Sequence, residues 1–345
     1  MRPLIIYLLA GLVASLPLMA FSCESDLARE LSAHEQARDY DAAIAMLQQE
    51  VQQNPGNAEA QYHLGRLKMQ EGTYDAGLEA LEASREASPR YEEEIDFLID
   101  KHHREELVKA NEVLETGQAA EAAEHFRNAA FINPSDVRAH RGLGHVLLEL
   151  GEYADAESAY REAHELEPDH VETLNNLAFL TYERGAYERT VDYSEHALDV
   201  GEPQFEVVKR LAYAHVNLGN LTAAEEYLAQ ALSMEPSNEL RRDYALVLFN
   251  QEKYQAARTE LETLTARDAD PELLRALAET QYALDEHRAA TRTNATILEQ
   301  VPGDREALQN LVILHELLEE HDEAREFREQ LNQSEEADTE EADEE

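Results

Sequence analysis

A proline recurs along this chain at an almost fixed spacing. Pro55 and Pro89 are 34 residues apart, as are Pro134 and Pro168, and Pro236 follows Pro168 at twice that distance. A sequence period of about 20–50 residues is typical of solenoids, propellers and other arrays, in which each repeat buries its apolar face against its neighbours. We therefore expect an array of similar units along the 345 residues rather than one globular core.

The composition predicts that these units are helical. Hydrophobic residues make up 43% of the chain, Gly (13) and Pro (10) are scarce, and Trp is absent. Ala, Leu and Glu, which favour helices, are abundant. No segment alternates apolar and polar residues with β-branched side chains, so no sheet is expected.

Residues 151–168, GEYADAESAYREAHELEP, carry small side chains where larger ones would bury more apolar surface. Ala156, Ala159 and Ala163 surround one large aromatic, Tyr160. Helix axes that pack at about 8 Å leave room only for Gly or Ala at the contact. Alanine here therefore indicates a closely packed neighbouring helix, and Tyr160 is predicted to fill the hole between helices.

The same pattern defines a repeat frame of 34 positions. With Val137 as position 1, small residues are expected at positions 8, 20 and 27, a glycine at position 15, a large residue at position 24 and a proline at position 32. Gly144, Gly151 and Pro168 occupy positions 8, 15 and 32. Proline ends the second helix because it has no N–H to donate. Later units depart from the frame, with Glu252 at a glycine position and Asn294 at position 24.

The pattern resembles the tetratricopeptide repeat, a helix–turn–helix unit, over nearly all of residues 23–333. The resemblance implies an all-α, right-handed superhelical solenoid of about nine units whose concave groove binds a protein or peptide. The units are expected to start at Glu24, Ala58, His103, Val137, Val171, Phe205, Asn238, Pro271 and Arg305.

The first 22 residues are predicted to be a secretory signal peptide. Arg2 precedes an apolar run, and the small residues Ala20 and Ser22 precede Cys23, the only cysteine. This arrangement resembles the lipobox of bacterial lipoproteins, whose cysteine takes a lipid anchor, which would place the protein in the cell envelope on a bacterial membrane. Simple secretion, a periplasmic location and an uncleaved anchor remain alternatives. No later stretch is long and apolar enough to span a membrane, so Cys23 is the only expected membrane attachment.

The net charge of −44 arises from 73 acidic and 29 basic residues. Such a polyanion is repelled by nucleic acid and by anionic lipid, so neither is an expected ligand. The excess of acid with little lysine resembles proteins of salt-loving microbes, in which concentrated salt screens the repulsion. An ordinary acidic envelope protein is the alternative.

Two segments lie outside the regular repeat. Residues 92–102 are an insertion of about three helical turns, which predicts one long helix from about Tyr91 to Glu115. It is either a protruding contact element or a tolerated insertion that caps the first units. His102 and His103 of this predicted helix are expected to be solvated, and no metal site is expected. The acidic tail, 334–345, is predicted to be disordered, serving solubility, or as a tether or a competitor for the groove.

The chain contains no recognisable catalytic motif. A phosphate-binding glycine loop, GxSxG and HExxH are all missing, so neither enzymatic activity nor a cofactor is expected. The resemblance implies a non-catalytic protein–protein interaction scaffold. The alternative is an accessory assembly or regulatory lipoprotein of a cell-wall, secretion or pilus machine. A binder of small molecules or saccharides would need aromatic platforms, and Tyr62, Phe179 and Tyr213 are well separated in sequence.

Candidate groove residues come from the first helix of each unit, which lines the concave surface in the family. Arg141, Asn176 and Arg210 resemble the set with which some family members clamp a peptide carboxylate. His145 stands where that set has Asn, and Glu206 where it has a base. The predicted partner-binding residues are Arg138, Arg141, His145, Asn175, Asn176, Lys209 and Arg210. Local pairing with acids is the alternative, especially for Lys209, since Glu206 lies one helical turn before it.

Overall fold

The computed structural model describes residues 25–344, with side chains to residue 333, and all of its regular secondary structure is helical. Eighteen α-helices are joined by short turns within this range. They are α1 Asp26–Ala37, α2 Tyr40–Gln53, α3 Ala58–Glu71, α4 Tyr74–Ala87, α5 Glu92–Glu115, α6 Ala119–Ile132, α7 Val137–Glu149, α8 Tyr153–Leu166, α9 Val171–Glu183, α10 Tyr187–Val200, α11 Phe205–Asn217, α12 Leu221–Met234, α13 Asn238–Asn250, α14 Tyr254–Thr265, α15 Pro271–Ala283, α16 His287–Gln300, α17 Arg305–Leu317 and α18 His321–Glu344. A short 3-10 helix, Pro89–Tyr91, precedes α5.

In several repeat units, the first of the two helices begins at a residue whose side chain caps free backbone N–H groups. Asn57 accepts a hydrogen bond from the backbone of Ala60 at the start of α3, and Asp304 accepts one from Ala307 at the start of α17. Such caps satisfy donors that the first helical turn leaves without partners. Helices begin at seven of the residues at which the repeat frame starts a unit, namely Ala58, Val137, Val171, Phe205, Asn238, Pro271 and Arg305.

The turn inside each helix pair uses a residue in the left-handed backbone conformation. Glycine occupies it at Gly72, Gly151 and Gly219, with φ of 86°, 76° and 74°. Glu252 takes the same conformation, with φ of 58°, where the frame expects glycine. The turn is thus maintained even where the sequence departs from the repeat.

The chain divides into two compact units. The first comprises the described residues up to Glu106 together with Phe131–Asn133, and the second comprises Leu107–Ala130 and the residues from Pro134 onward. The core of the first unit includes Leu47, Leu67 and Ile95, all almost fully buried. In the second unit, helices pack mainly against the preceding and the following helix, so its core follows the order of the chain.

The small-residue contact expected around Tyr160 is present in the second unit. Ala156 and Ala163 are fully buried, and Tyr160 is 2% exposed. A Cβ atom added to Gly144 would lie 2.9 Å from ring carbons of Tyr160, so only glycine permits this approach of the ring to α7. The all-α repeat fold predicted from the spacing is therefore confirmed.

The insertion forms part of one continuous helix, α5, as expected. The expectation that its histidines are solvated is wrong: His102 is 7% exposed, His103 2% and Glu106 2%. Tyr74 of α4 donates a hydrogen bond of 2.9 Å to Glu106. Helical periodicity shows which residues share a face, but a second helix lying over that face decides their burial.

Three predictions concern the ends of the chain. The signal peptide and Cys23 lie outside the described residues, as do the side chains of the tail from Ser334 onward. Predictions about these segments therefore stay predictions. Between residues 25 and 344, no helix has both the length and the apolar character needed to cross a membrane.

Candidate functional site

The seven candidate residues occupy three successive first helices of the second unit. Arg138, Arg141 and His145 lie on α7, Asn175 and Asn176 on α9, and Lys209 and Arg210 on α11. We call these seven residues the first-helix patch.

Carboxylates neutralise most of the positive charge of the patch. Arg141, for which the frame offers no acid one turn earlier, pairs with Glu167 of the turn that precedes α9. The pairs and their N–O distances are Arg138–Asp136 at 3.0 Å, Arg141–Glu167 at 3.1 Å and Lys209–Glu206 at 3.0 Å. His145 Nε2 lies 3.4 Å from Glu149, a contact that is an ion pair only when the imidazole is protonated. Exposed ion pairs of this kind contribute only about 0–1 kcal/mol and exchange partners readily. The patch is therefore less positive than its residue types suggest.

Arg210 is the exception in the patch. No carboxylate in the described part of the chain lies within 4 Å of its guanidinium, which stacks on the ring of Phe179 at 5.4 Å from the centroid. Burial lowers the pKa of Arg210, while Glu206 and Glu183 act in the opposite direction. Because an arginine stays protonated even so, the structure holds a partly buried cation without a paired anion.

The asparagines of α9 have hydrogen-bonding capacity to spare. Asn175 donates to Gln204 at 3.2 Å through its amide nitrogen, but its buried Oδ1 has no hydrogen-bond partner. An unsatisfied buried acceptor of this kind costs about 1–3 kcal/mol. The side chain of Asn176 is half-buried and makes no hydrogen bond to other described residues, so it is available to a ligand.

Aromatic residues flank the cation. Phe179 meets Tyr153 edge to face, with ring centroids 6.1 Å apart, and Tyr213 donates a 2.6 Å hydrogen bond to Asp243. Burial raises the pKa of Tyr213 and of Tyr182. Sequence reasoning considered Phe179 only as a saccharide platform. Its contact with Arg210 follows from the repeat, which brings position 9 of one unit beside position 6 of the next.

The described residues include side-chain types that hold metal ions in proteins. None of their His, Cys, Asp and Glu side chains form a group of three that could hold a metal ion. The side chains of the patch can form ion pairs, hydrogen bonds and stacking contacts.

Sequence comparison identifies the family. The profile of the tetratricopeptide repeat matches residues 107–189 and 209–273, and a second profile with the same description matches residues 35–95. Together these matches cover more than half of the chain, which therefore belongs to the tetratricopeptide repeat family. No curated protein matches the sequence.

Solved structures with a similar fold are distant in sequence. YrrB, described as a TPR protein with an unusual peptide-binding site, is 20% identical, with 54% of this chain and 97% of YrrB covered and a TM-score of 0.47. MamA from Desulfovibrio magneticus is 15% identical, with coverages of 49% and 97% and a TM-score of 0.42. A tetratricopeptide repeat protein from Parabacteroides merdae is 16% identical, with coverages of 67% and 98% and a TM-score of 0.42. At these identities the likeness concerns the fold alone.

Proposed function

We propose that this chain is a non-catalytic scaffold of the cell envelope that binds an acidic segment or a C-terminal carboxylate of a partner protein through the first-helix patch. Proteins of the tetratricopeptide repeat family bind protein or peptide partners and are generally non-catalytic. The observation that supports this site is Arg210, a partly buried guanidinium without a paired carboxylate in a chain of net charge −44.

The surroundings of Arg210 suit an anionic ligand. A guanidinium can bind a carboxylate through two parallel hydrogen bonds, and stacking on Phe179 fixes its plane before the ligand arrives. Folding has already removed part of the water around this guanidinium. Binding of an anion therefore requires less further desolvation, and its free energy of binding is more favourable than at a fully hydrated arginine. The half-buried side chain of Asn176, which makes no hydrogen bond to other described residues, can bind the backbone of the same peptide.

Selectivity follows from the excess of acid elsewhere. Most of the surface repels an anionic peptide, so binding is expected where an unpaired cation is also partly buried and held in place, as Arg210 is by Phe179. Arg141 can add a second contact by leaving Glu167, because the exposed pair costs little to break.

The envelope location rests on the N-terminal sequence. A signal-like segment followed by the single Cys23 supports lipid anchoring to a bacterial membrane. We expect the wild-type chain to incorporate labelled fatty acid and to partition into detergent. Cys23→Ser should abolish both, and unchanged membrane association of this variant without label in the wild type would contradict the anchor.

Binding to the patch is tested with a labelled acidic peptide that ends in a free carboxylate, measured by fluorescence anisotropy. We expect Arg210→Gln to weaken binding about tenfold, and Arg141→Glu combined with Arg210→Glu to weaken it further, without a change in melting temperature. Arg292→Gln makes the same change in charge on an exposed, unpaired arginine of α16 and should have little effect. Equal binding by wild type and the double variant would eliminate the site, as would equal losses in Arg210→Gln and Arg292→Gln.

A further inference from the structure

A cavity of about 360 Å³ opens on the second unit among α13, α15, α16 and α17. Its apolar wall includes Phe249, Tyr282 and Ile313, of which Tyr282 is 48% exposed and Ile313 49% exposed. Two amides, Asn294 and Asn310, also line it. We call this space the α15–α17 cavity.

The cavity arises from a departure from the repeat at position 24. Several other units place a large buried side chain there, such as Tyr160, Leu228 or Leu261, whereas the unit that starts at Val171 has the small Ser194. Asn294 is shorter, and its amide donates to the backbone carbonyl of Ala290 at 2.9 Å within its own helix. Position 8 of the same unit is Ala278, which is also small, so the hole between the helices is left unfilled.

The polar groups of the cavity are only partly engaged. The side-chain Nδ2 of Asn310 donates a long hydrogen bond of 3.4 Å to Asn294 Oδ1, and the side-chain Oδ1 of Asn310 accepts none from the described residues. Asn310 lines a space large enough for a side chain. It therefore offers an acceptor to a ligand that enters the cavity.

Glu279 gives the cavity a negative edge. No cation of the described chain lies within 4 Å of its carboxylate, although most bases nearby are paired, for example Arg275 with Glu272 and Glu306. The residue Glu279 as a whole is exposed, but partial burial of its carboxyl group raises the pKa of Glu279. The negative charge of the neighbouring Glu306 raises this pKa further. Both effects disfavour the ionised form of Glu279, and a cation bound beside it would stabilise that form.

We propose that the α15–α17 cavity binds a large apolar side chain of a partner peptide while Glu279 pairs with a lysine or arginine adjacent to that side chain. The inference rests on the proposed role in binding peptides, but it uses different residues and ligands of opposite charge. Apolar walls with one placed charge are typical of peptide anchor sites.

Charge decides between this occupant and its alternatives. A second copy of the chain would bring another net charge of −44, and the tail SEEADTEEADEE is itself acidic. Glu279 and Glu306 repel both. A basic, apolar segment of a different protein has the complementary charge.

The test uses the full chain and two labelled synthetic peptides, one of alternating Phe and Lys and one of alternating Phe and Glu. We expect the lysine peptide to bind, and its affinity to fall about tenfold in Asn294→Leu, which fills the cavity with the residue found at Leu228 and Leu261 without changing the charge. Glu279→Gln should weaken binding about three- to tenfold and reduce its salt dependence. Glu299→Gln, an equivalent change at an exposed site of α16, controls for non-specific attraction to the acidic surface.

A second variant keeps the test valid if Asn294→Leu does not fold. Ile313→Ser removes part of the exposed apolar wall and should also weaken the lysine peptide about tenfold. Equal binding of the lysine peptide to wild type, Asn294→Leu and Ile313→Ser would overturn the proposal. So would equal losses in Glu279→Gln and Glu299→Gln, or tighter binding of the glutamate peptide at the cavity. Retained Arg210-dependent binding of an acidic peptide in the same preparations would show that the proposed function survives such a result.

Discussion

At the scale of single residues, Glu252 adopts the left-handed turn conformation at a position where most other units have glycine. Its φ of 58° is left-handed, a conformation that costs a residue with a Cβ atom about 1–2 kcal/mol. Glycine avoids this strain but loses about 0.5–1 kcal/mol through its freedom in the unfolded chain. We therefore expect Glu252→Gly to increase the free energy of unfolding by about 0.5–1 kcal/mol, measured by chemical denaturation.

A glycine at a helical position provides the control. Glu226 is exposed in the interior of α12, and Glu226→Gly should decrease the free energy of unfolding by about 1 kcal/mol. If both variants are destabilised to the same extent, the left-handed conformation at Glu252 is not the cause of strain.

At this scale, the sequence predicts some ion pairs between residues and not others. The spacing of three residues predicted the pair of Lys209 with Glu206, which is present at 3.0 Å. It could not find the partner of Arg141, because Glu167 is 26 residues away and is brought near only by the turn between two units. It also could not show that Arg210 lacks a carboxylate, since that depends on the side chains of neighbouring helices.

At the scale of helices, α7 and α8 pack together where the ring of Tyr160 lies against Gly144. Tyr160→Ala removes a side chain that is 2% exposed and should cost about 3–5 kcal/mol. Ala156→Leu should cost about 1–3 kcal/mol, because the fully buried methyl group leaves no room for a larger residue. Thermal and chemical unfolding measure both variants.

Tyr153 lies on the same helix and provides the matched control. It is 39% exposed, so Tyr153→Ala should be much less destabilising than Tyr160→Ala. If Tyr160→Ala and Ala156→Leu both have the melting temperature of the wild type, the assignment of positions 20 and 24 in this unit is wrong.

Helix boundaries were more predictable than the environment of individual helices. The repeat frame placed helix starts at residues such as Val137 and Phe205 because caps, turn glycines and prolines are local signals. Burial of His102 and His103 was not predictable, because it depends on which helix covers that part of α5. The α15–α17 cavity follows from Asn294, a departure visible in the sequence whose consequence appears only when the facing residue, Ala278, is known.

At the scale of the whole molecule, 73 acidic residues against 29 basic residues leave a large excess of negative charge. Salt weakens the ion pairs, but it also screens repulsion among the many acids that have no base to pair with. The second effect dominates because unpaired acids outnumber all bases. We expect the melting temperature to rise by many degrees between about 0.05 M and about 2 M salt, as the Debye length falls to about 3 Å.

The comparison of salts separates screening from general effects of the solvent. Sodium chloride and potassium chloride should act alike at equal ionic strength, whereas sucrose, which carries no charge, should not reproduce the rise at low concentration. A melting temperature that does not change with ionic strength would contradict adaptation to concentrated salt.

The helix-by-helix contacts of the second unit also predict how its backbone amides exchange hydrogen with water. Each helix is held mainly by the helix before it and the helix after it, so local opening requires the loss of few contacts. Helices α8 and α9 have packed neighbours on both sides, whereas α18 is packed mainly on α17. Deuterium should therefore enter α18 before helices such as α8 and α9 that are packed on both sides, so that protection against exchange is lower in this last helix.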